Sequence, residues 1–197
     1  MSGAAPLITL VLVLSVARPA LAHDVVAGVG GFTGGLLHPL LVPVHLLALV
    51  GLGLLIGQQQ GPPRRTLLAV FAAGLVAGLA CIALAIGETP ANLVLLAAAA
   101  TAGVLVVIAA PLPGIVGGIV AATTGAAIGL DSPPDEISLR SAVIALLGTG
   151  LGALAVLTAV VTLTGCCRRE WQQIGVRVIG SWTAASAILV LATRLVR

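Results

Sequence analysis

Residues 36–50 read LLHPLLVPVHLLALV. Two histidines, His38 and His45, and two prolines, Pro39 and Pro43, interrupt a run otherwise suited to lipid. An ionisable side chain inside a membrane segment is expensive and marks a functional site by default. On a straight helix, residues seven apart share a face but stand roughly 10 Å apart along the axis. Metal–imidazole bonds are only about 2 Å long, so such a pair cannot hold one ion. The prolines alter this. Neither has an N–H, so the carbonyls of Gly35 and Pro39 lose their helical partners. A break there frees oxygens and lets the two imidazoles converge. Broken helices at membrane depth are tolerated where they line a cavity, and transporters bind ions at such breaks. Imidazole suits nickel, zinc and copper. The plainer reading is that each histidine bonds a neighbouring carbonyl and staples the break.

The rest of the chain agrees with a lipid environment. Of 197 residues, 59% are hydrophobic and 8% are charged, with a mean hydropathy of +1.23. Soluble domains carry roughly 25% charged residues. There is no Lys and no Tyr, and all nine basic residues are Arg. No basic run and almost no aromatic side chain is present to hold a nucleic acid. Apolar segments of near-spanning length fall at about 30–57, 66–87, 92–110, 112–130, 140–165 and 174–194. The breaks between them are short: QQQGPPRR, ETPA, PLPG, DSPPDEIS and CCRREWQQ. The first segment exceeds one straight span, and the prolines divide it into a half-helix, a break and a second helix. Unpaired strand edges cannot face lipid, which leaves helices. The sequence therefore predicts an all-α polytopic membrane bundle of about six transmembrane helices.

A further apolar stretch, Leu7–Ala17, precedes Arg18, Pro19 and the triplet Ala20-Leu21-Ala22. That triplet is an A-x-A cleavage signal, so residues 1–22 read as a signal peptide, or otherwise as an uncleaved first helix. Residues 23–197 form a single integral membrane domain. Cleavage would make His23 the new N-terminus, and its amine and imidazole beside Asp24 form a small chelating group. Arg64, Arg65, Arg168, Arg169 and Arg177 then lie inside, by the positive-inside rule. Asp24, Glu88, Asp131, Asp135 and Glu136 lie outside with Arg140. Such an acidic rim attracts cations, or simply keeps the loops soluble. The same alternatives attach to Asp131, in a turn with Pro133 and Pro134.

Glycine pairs four apart recur at Gly31/Gly35, Gly74/Gly78, Gly114/Gly118, Gly125/Gly129 and Gly148/Gly152. Small residues on one face let membrane helices approach closely. The cysteines include no C-x-x-C pair, and Cys81 reads as a small buried hydrophobe. Lipidation or metal binding stays open for Cys166 and Cys167. No phosphate-binding GxxxxGK[ST] loop and no H-E-x-x-H is present. No nucleophile–base set emerges either, so an enzyme is not expected.

The stretch AHDVVAGVGGFTGGLLHPLLVPVHLLALVGLGLL, residues 22–55, resembles the start of the HupE/UreJ family. These are small bacterial membrane proteins linked to hydrogenase and urease maturation and associated with nickel, sometimes cobalt, uptake. The match covers His23, Gly31, Phe32, His38, Pro39, His45, Leu46, Leu47 and Ala48. Arg177, Gly180 and the segment SWTAASAILVLA fit the last helix loosely. Where the family has Gly and Asp before the second histidine, this chain has Val42 and Val44. Where its fourth helix carries two histidines and a Glu, this chain has Thr124, Ile128 and Asp131, with Gly125 and Gly129 kept. The ligand set that remains is His23, His38, His45 and Asp131, with Asp24 and Glu88 as weaker candidates. The resemblance implies a permease for a divalent ion, nickel before cobalt. It would sit in a bacterial inner membrane, with the mature N-terminus outside and no tightly bound cofactor. A homo-oligomer or maturation partners stay open. The competing implication is a non-transporting accessory or scaffold protein of the same fold that has lost ligands.

Overall fold

The computed structural model describes residues 31–59, 64–84, 90–134 and 138–196. The leader segment, His23, Asp24 and Glu88 lie outside the described residues. Seven helices and no strand occur among them: α1 Gly31–Leu41, α2 Pro43–Gln58, α3 Arg64–Ala83, α4 Ala91–Ile108, α5 Gly114–Leu130, α6 Leu139–Cys166 and α7 Glu170–Leu195. They follow the six apolar segments, the first of which is split. Four helices are long and apolar enough to cross a membrane, five if α1 and α2 count as one broken span. The chain is thus an all-α membrane bundle. Helix α5 has 17 residues; at ~1.5 Å per residue it reaches about 25 Å, just short of the ~30 Å hydrocarbon thickness.

The segment boundaries have local causes. Val42 is extended (φ −88°, ψ 109°) and Pro43 opens α2. A residue before proline is driven out of the helical region, and proline suits the first helical position, where no N–H is needed. The two half-helices meet at 68°. Pro90 and Pro113 stand one position earlier, as the N-caps of α4 and α5. Ala109 closes α4 in the left-handed region, φ 53°. Ser138 caps α6 by accepting from the Ser141 N–H at 3.2 Å, one of the end donors a helix leaves unpaired.

Helix α2 forms the axis of the bundle and touches all six others. From Gly51 to Gly57 every one of its residues is buried. Around it, α1 packs chiefly on α6, α3 on α5, and α4 on α7. Lipid tails are as apolar as leucine, so close van der Waals contact, not water exclusion, must hold these pairs together. Glycines permit that contact. A Cβ on Gly74 or Gly78 would collide with the carbonyls of Ala122 or Ala126, and one on Gly125 with that of Phe71. Gly148 and Gly152 meet the carbonyls of Phe32 and Leu36, and Gly35 meets that of Ala145. Gly31 and Gly118 have nothing near them, so the spacing identified three of the five stripes correctly as interfaces.

Gln59 ties the central helix to its neighbours. Its Oε1 accepts from the Leu112 N–H at 3.0 Å, and its Nε2 donates to the Ala110 carbonyl at 3.4 Å. One buried amide thus serves both polar faces of the PLPG connection.

Candidate functional site

His45 is the third residue of α2 and is fully buried. Asp131 terminates α5 as its C-cap. A carboxylate there faces the negative end of the helix dipole, an unfavourable position. Its compensation is His45, whose Nε2 lies 3.1 Å from Asp131 Oδ2. The Asp131 side chain keeps 27% of its surface, so the pair joins a dry interior to the end of the bundle. An ionised carboxylate only accepts, which puts the imidazole hydrogen on Nε2. The Nδ1 lone pair then points elsewhere. That nitrogen is buried and has no hydrogen-bond partner among the described residues. Burying an unmatched polar atom costs about 1–3 kcal/mol, so a fold that keeps one there gains something from it.

His38 completes a row. Its ring centroid lies 5.1 Å from that of His45, at an interplanar angle of 67°. On one straight helix the two would be roughly 10 Å apart. The bend at Val42 closes that separation, so His38, His45 and Asp131 run from α1 through α2 to α5. The plain stapling reading accounts for a histidine held at a break, but not for His45 reaching another helix.

The structure also limits the site. Among the described residues, no group of three or more His, Cys, Asp or Glu is gathered closely enough to hold a metal ion. His38 touches His45, and His45 touches Asp131; the three do not surround a common point. Thr124 and Ile128, at the two positions where the resemblance would have histidines, are buried. The Thr124 hydroxyl donates to the Val120 carbonyl of its own helix at 2.7 Å. Val44, in place of the expected carboxylate, packs against the apolar core.

A second polar locus was not legible in advance. At the opposite end of α2, a cavity of about 460 Å³ is lined by Gln58, Arg64, Cys167, Arg168, Gln173 and Arg177, among others. The Arg64 guanidinium donates to the Gly57 carbonyl at 2.8 Å. The sequence signal is the clustering of these arginines on one side of the membrane. That they border a common space depends on how α2, α3, α6 and α7 end together.

The family described as HupE / UreJ protein matches residues 10–190 of the chain. No curated protein and no solved structure matches it.

Proposed function

Because the chain belongs to the HupE/UreJ family, we propose that it is a membrane permease for a divalent transition metal, nickel before cobalt, serving metalloenzyme maturation. The observation that carries this reading is the buried His45 imidazole. One nitrogen is engaged by Asp131 and the other has no partner among the described residues. A carboxylate on one imidazole nitrogen is the usual support for a histidine whose other nitrogen binds a metal: it fixes the tautomer and raises ligand basicity. His38 is near enough to join after a small movement at the bend. His23, with Asp24 and Glu88 as weaker contributors, supplies the outer capture step. Two imidazoles and few anionic ligands favour borderline ions such as nickel over magnesium or calcium. A site that is incomplete at rest is consistent with a cargo that must leave again.

In the proposed orientation, the end bearing Asp131 faces outward, and the end bearing Arg64, Arg65, Arg168, Arg169 and Arg177 faces the cytoplasm of a bacterial inner membrane. Imidazole binds metal only when its ligating nitrogen is unprotonated, so metal occupancy falls as pH drops.

A non-transporting accessory role has one specific observation behind it. Helix α5 presents Thr124 bonded to its own backbone and Ile128 packed in the core, where the family pattern has ligands. Metal accumulation in cells lacking their own nickel uptake separates the two readings. The chain and its His38→Ala/His45→Ala variant are compared at equal membrane levels for nickel, cobalt, zinc and copper. Permease function predicts uptake of nickel that the double variant abolishes. No uptake of any metal by the folded, inserted chain would establish the accessory role instead.

A further inference from the structure

We infer that the cavity at the arginine end of the bundle binds a phosphate group. The nearest source by depth is the headgroup of an anionic phospholipid; free phosphate is the other. This stands apart from metal transport, because the cavity and the histidines occupy opposite ends of α2. The axial separation from His45 to Gln58 is about 20 Å at ~1.5 Å per residue.

Three guanidiniums line the cavity, those of Arg64, Arg168 and Arg177, and among the described residues no carboxylate does. Among the described residues Arg168 and Arg177 enter no ion pair. Gln58 and Gln173 add amides to the wall, and Gln58 Nε2 has no hydrogen-bond partner among the described residues. One rival account is that the arginines merely offset the C-termini of α2, α4 and α6, which end here. Each helix terminus carries about half a charge. Three negative ends, set against the positive ends of α3, α5 and α7, cancel to about zero. Against that, three full positive charges leave a surplus of about three. Arg64 alone, bonded to Gly57, is enough to satisfy the helix ends.

A guanidinium presents a planar fork that matches phosphate oxygens in pairs. The volume, about 460 Å³, lies in the ~300–1,000 Å³ range of small-ligand sites. Depth favours the lipid source. Trp171, one residue into α7, is 66% exposed, as befits an aromatic at the membrane–water interface. Basic spaces between helices at that level hold anionic headgroups.

The test uses the full chain in nanodiscs of phosphatidylcholine. Thermal unfolding is followed as phosphatidylglycerol replaces phosphatidylcholine and, separately, as inorganic phosphate is added. A saturable rise in the midpoint is expected in at least one series. Arg168→Gln/Arg177→Gln should weaken half-saturation about tenfold or more, on the scale of one charge-assisted hydrogen bond. Arg140→Gln/Arg194→Gln, an equal charge loss at the other end, should leave it unchanged. A rise with the lipid alone identifies the headgroup; a rise with inorganic phosphate alone identifies the free anion. No saturable rise in the wild-type chain in either series overturns the inference, whatever the variants do. So does equal weakening in both double variants. If the glutamine pair does not fold, Arg168→Lys/Arg177→Lys keeps the charge and removes the fork. It should still bind more weakly than wild type, and equal binding would refute the fork's role and the site with it.

Discussion

His45 and Asp131 are 86 positions apart in the chain and 3.1 Å apart in space. Asp131→Asn tests what the carboxylate contributes. The amide oxygen can still accept from Nε2, so geometry survives while the charge goes. Nickel uptake should need about 10–100-fold more metal for half-saturation, the usual scale for losing the support of a metal-binding histidine. The unfolding midpoint should scarcely move. A large fall in the midpoint with uptake unchanged would make the pair purely structural. The individual histidines were legible as candidates because imidazole is rare in an apolar segment. Of the two prolines expected to break the helix, only Pro43 does so, at Val42, while Pro39 stays inside α1. Asp131 was legible as a candidate, but its partner was not: pairing across 86 positions depends on which helices pack, and sequence spacing carries no such information. Thr124 bonds back to its own helix because a lone hydroxyl in lipid must find a carbonyl.

Among the helices, the boundaries came through most clearly, because proline chemistry is local. Val42 is extended because a following proline disfavours the helical region, although His38 before Pro39 stays helical within α1. The glycine stripes were readable as packing surfaces, but not as to which stripe meets which. Gly125 touches the Phe71 carbonyl, whereas Gly118, on the same helix, touches nothing. This contrast yields a paired prediction. Gly125→Val should push α3 from α5 and destabilise the chain by about 1–3 kcal/mol, the usual cost of overfilling a packed site. Gly118→Ala should be neutral or stabilising by up to about 1 kcal/mol, because alanine is the better helix former. Reversible unfolding in mixed micelles measures both. Equal effects would mean that α3 and α5 do not meet through these faces. Gln58 and Gln59 went unrecognised because QQQGPPRR reads as a connection, whereas the Gln59 side chain ties the end of α2 to residues 110–112 and Gln58 lines the cavity.

For the molecule as a whole, composition alone established the membrane bundle, and the arginines alone suggested its orientation. Cys166 offers a direct check of that orientation. It is exposed at the arginine end of α6. In a Cys81→Ala/Cys167→Ala background, a membrane-impermeant maleimide should label it only after the inner membrane is opened. Labelling of intact spheroplasts would invert the proposed orientation and put the arginine end outside. What composition could not convey is the central place of α2, since its segment looks much like its neighbours. That place has a consequence for how the protein is made. Helix α2 leaves the ribosome early, yet five of the six helices that cover it, α3 to α7, are synthesised later. The His45 imidazole must wait for α5, Gly53 and Gly57 for α6, and Gly51 for α7, each in lipid or against provisional partners until then. A stalled or truncated nascent chain therefore displays the very surface that the finished protein hides, and a membrane protease could tell complete from incomplete copies by that surface alone.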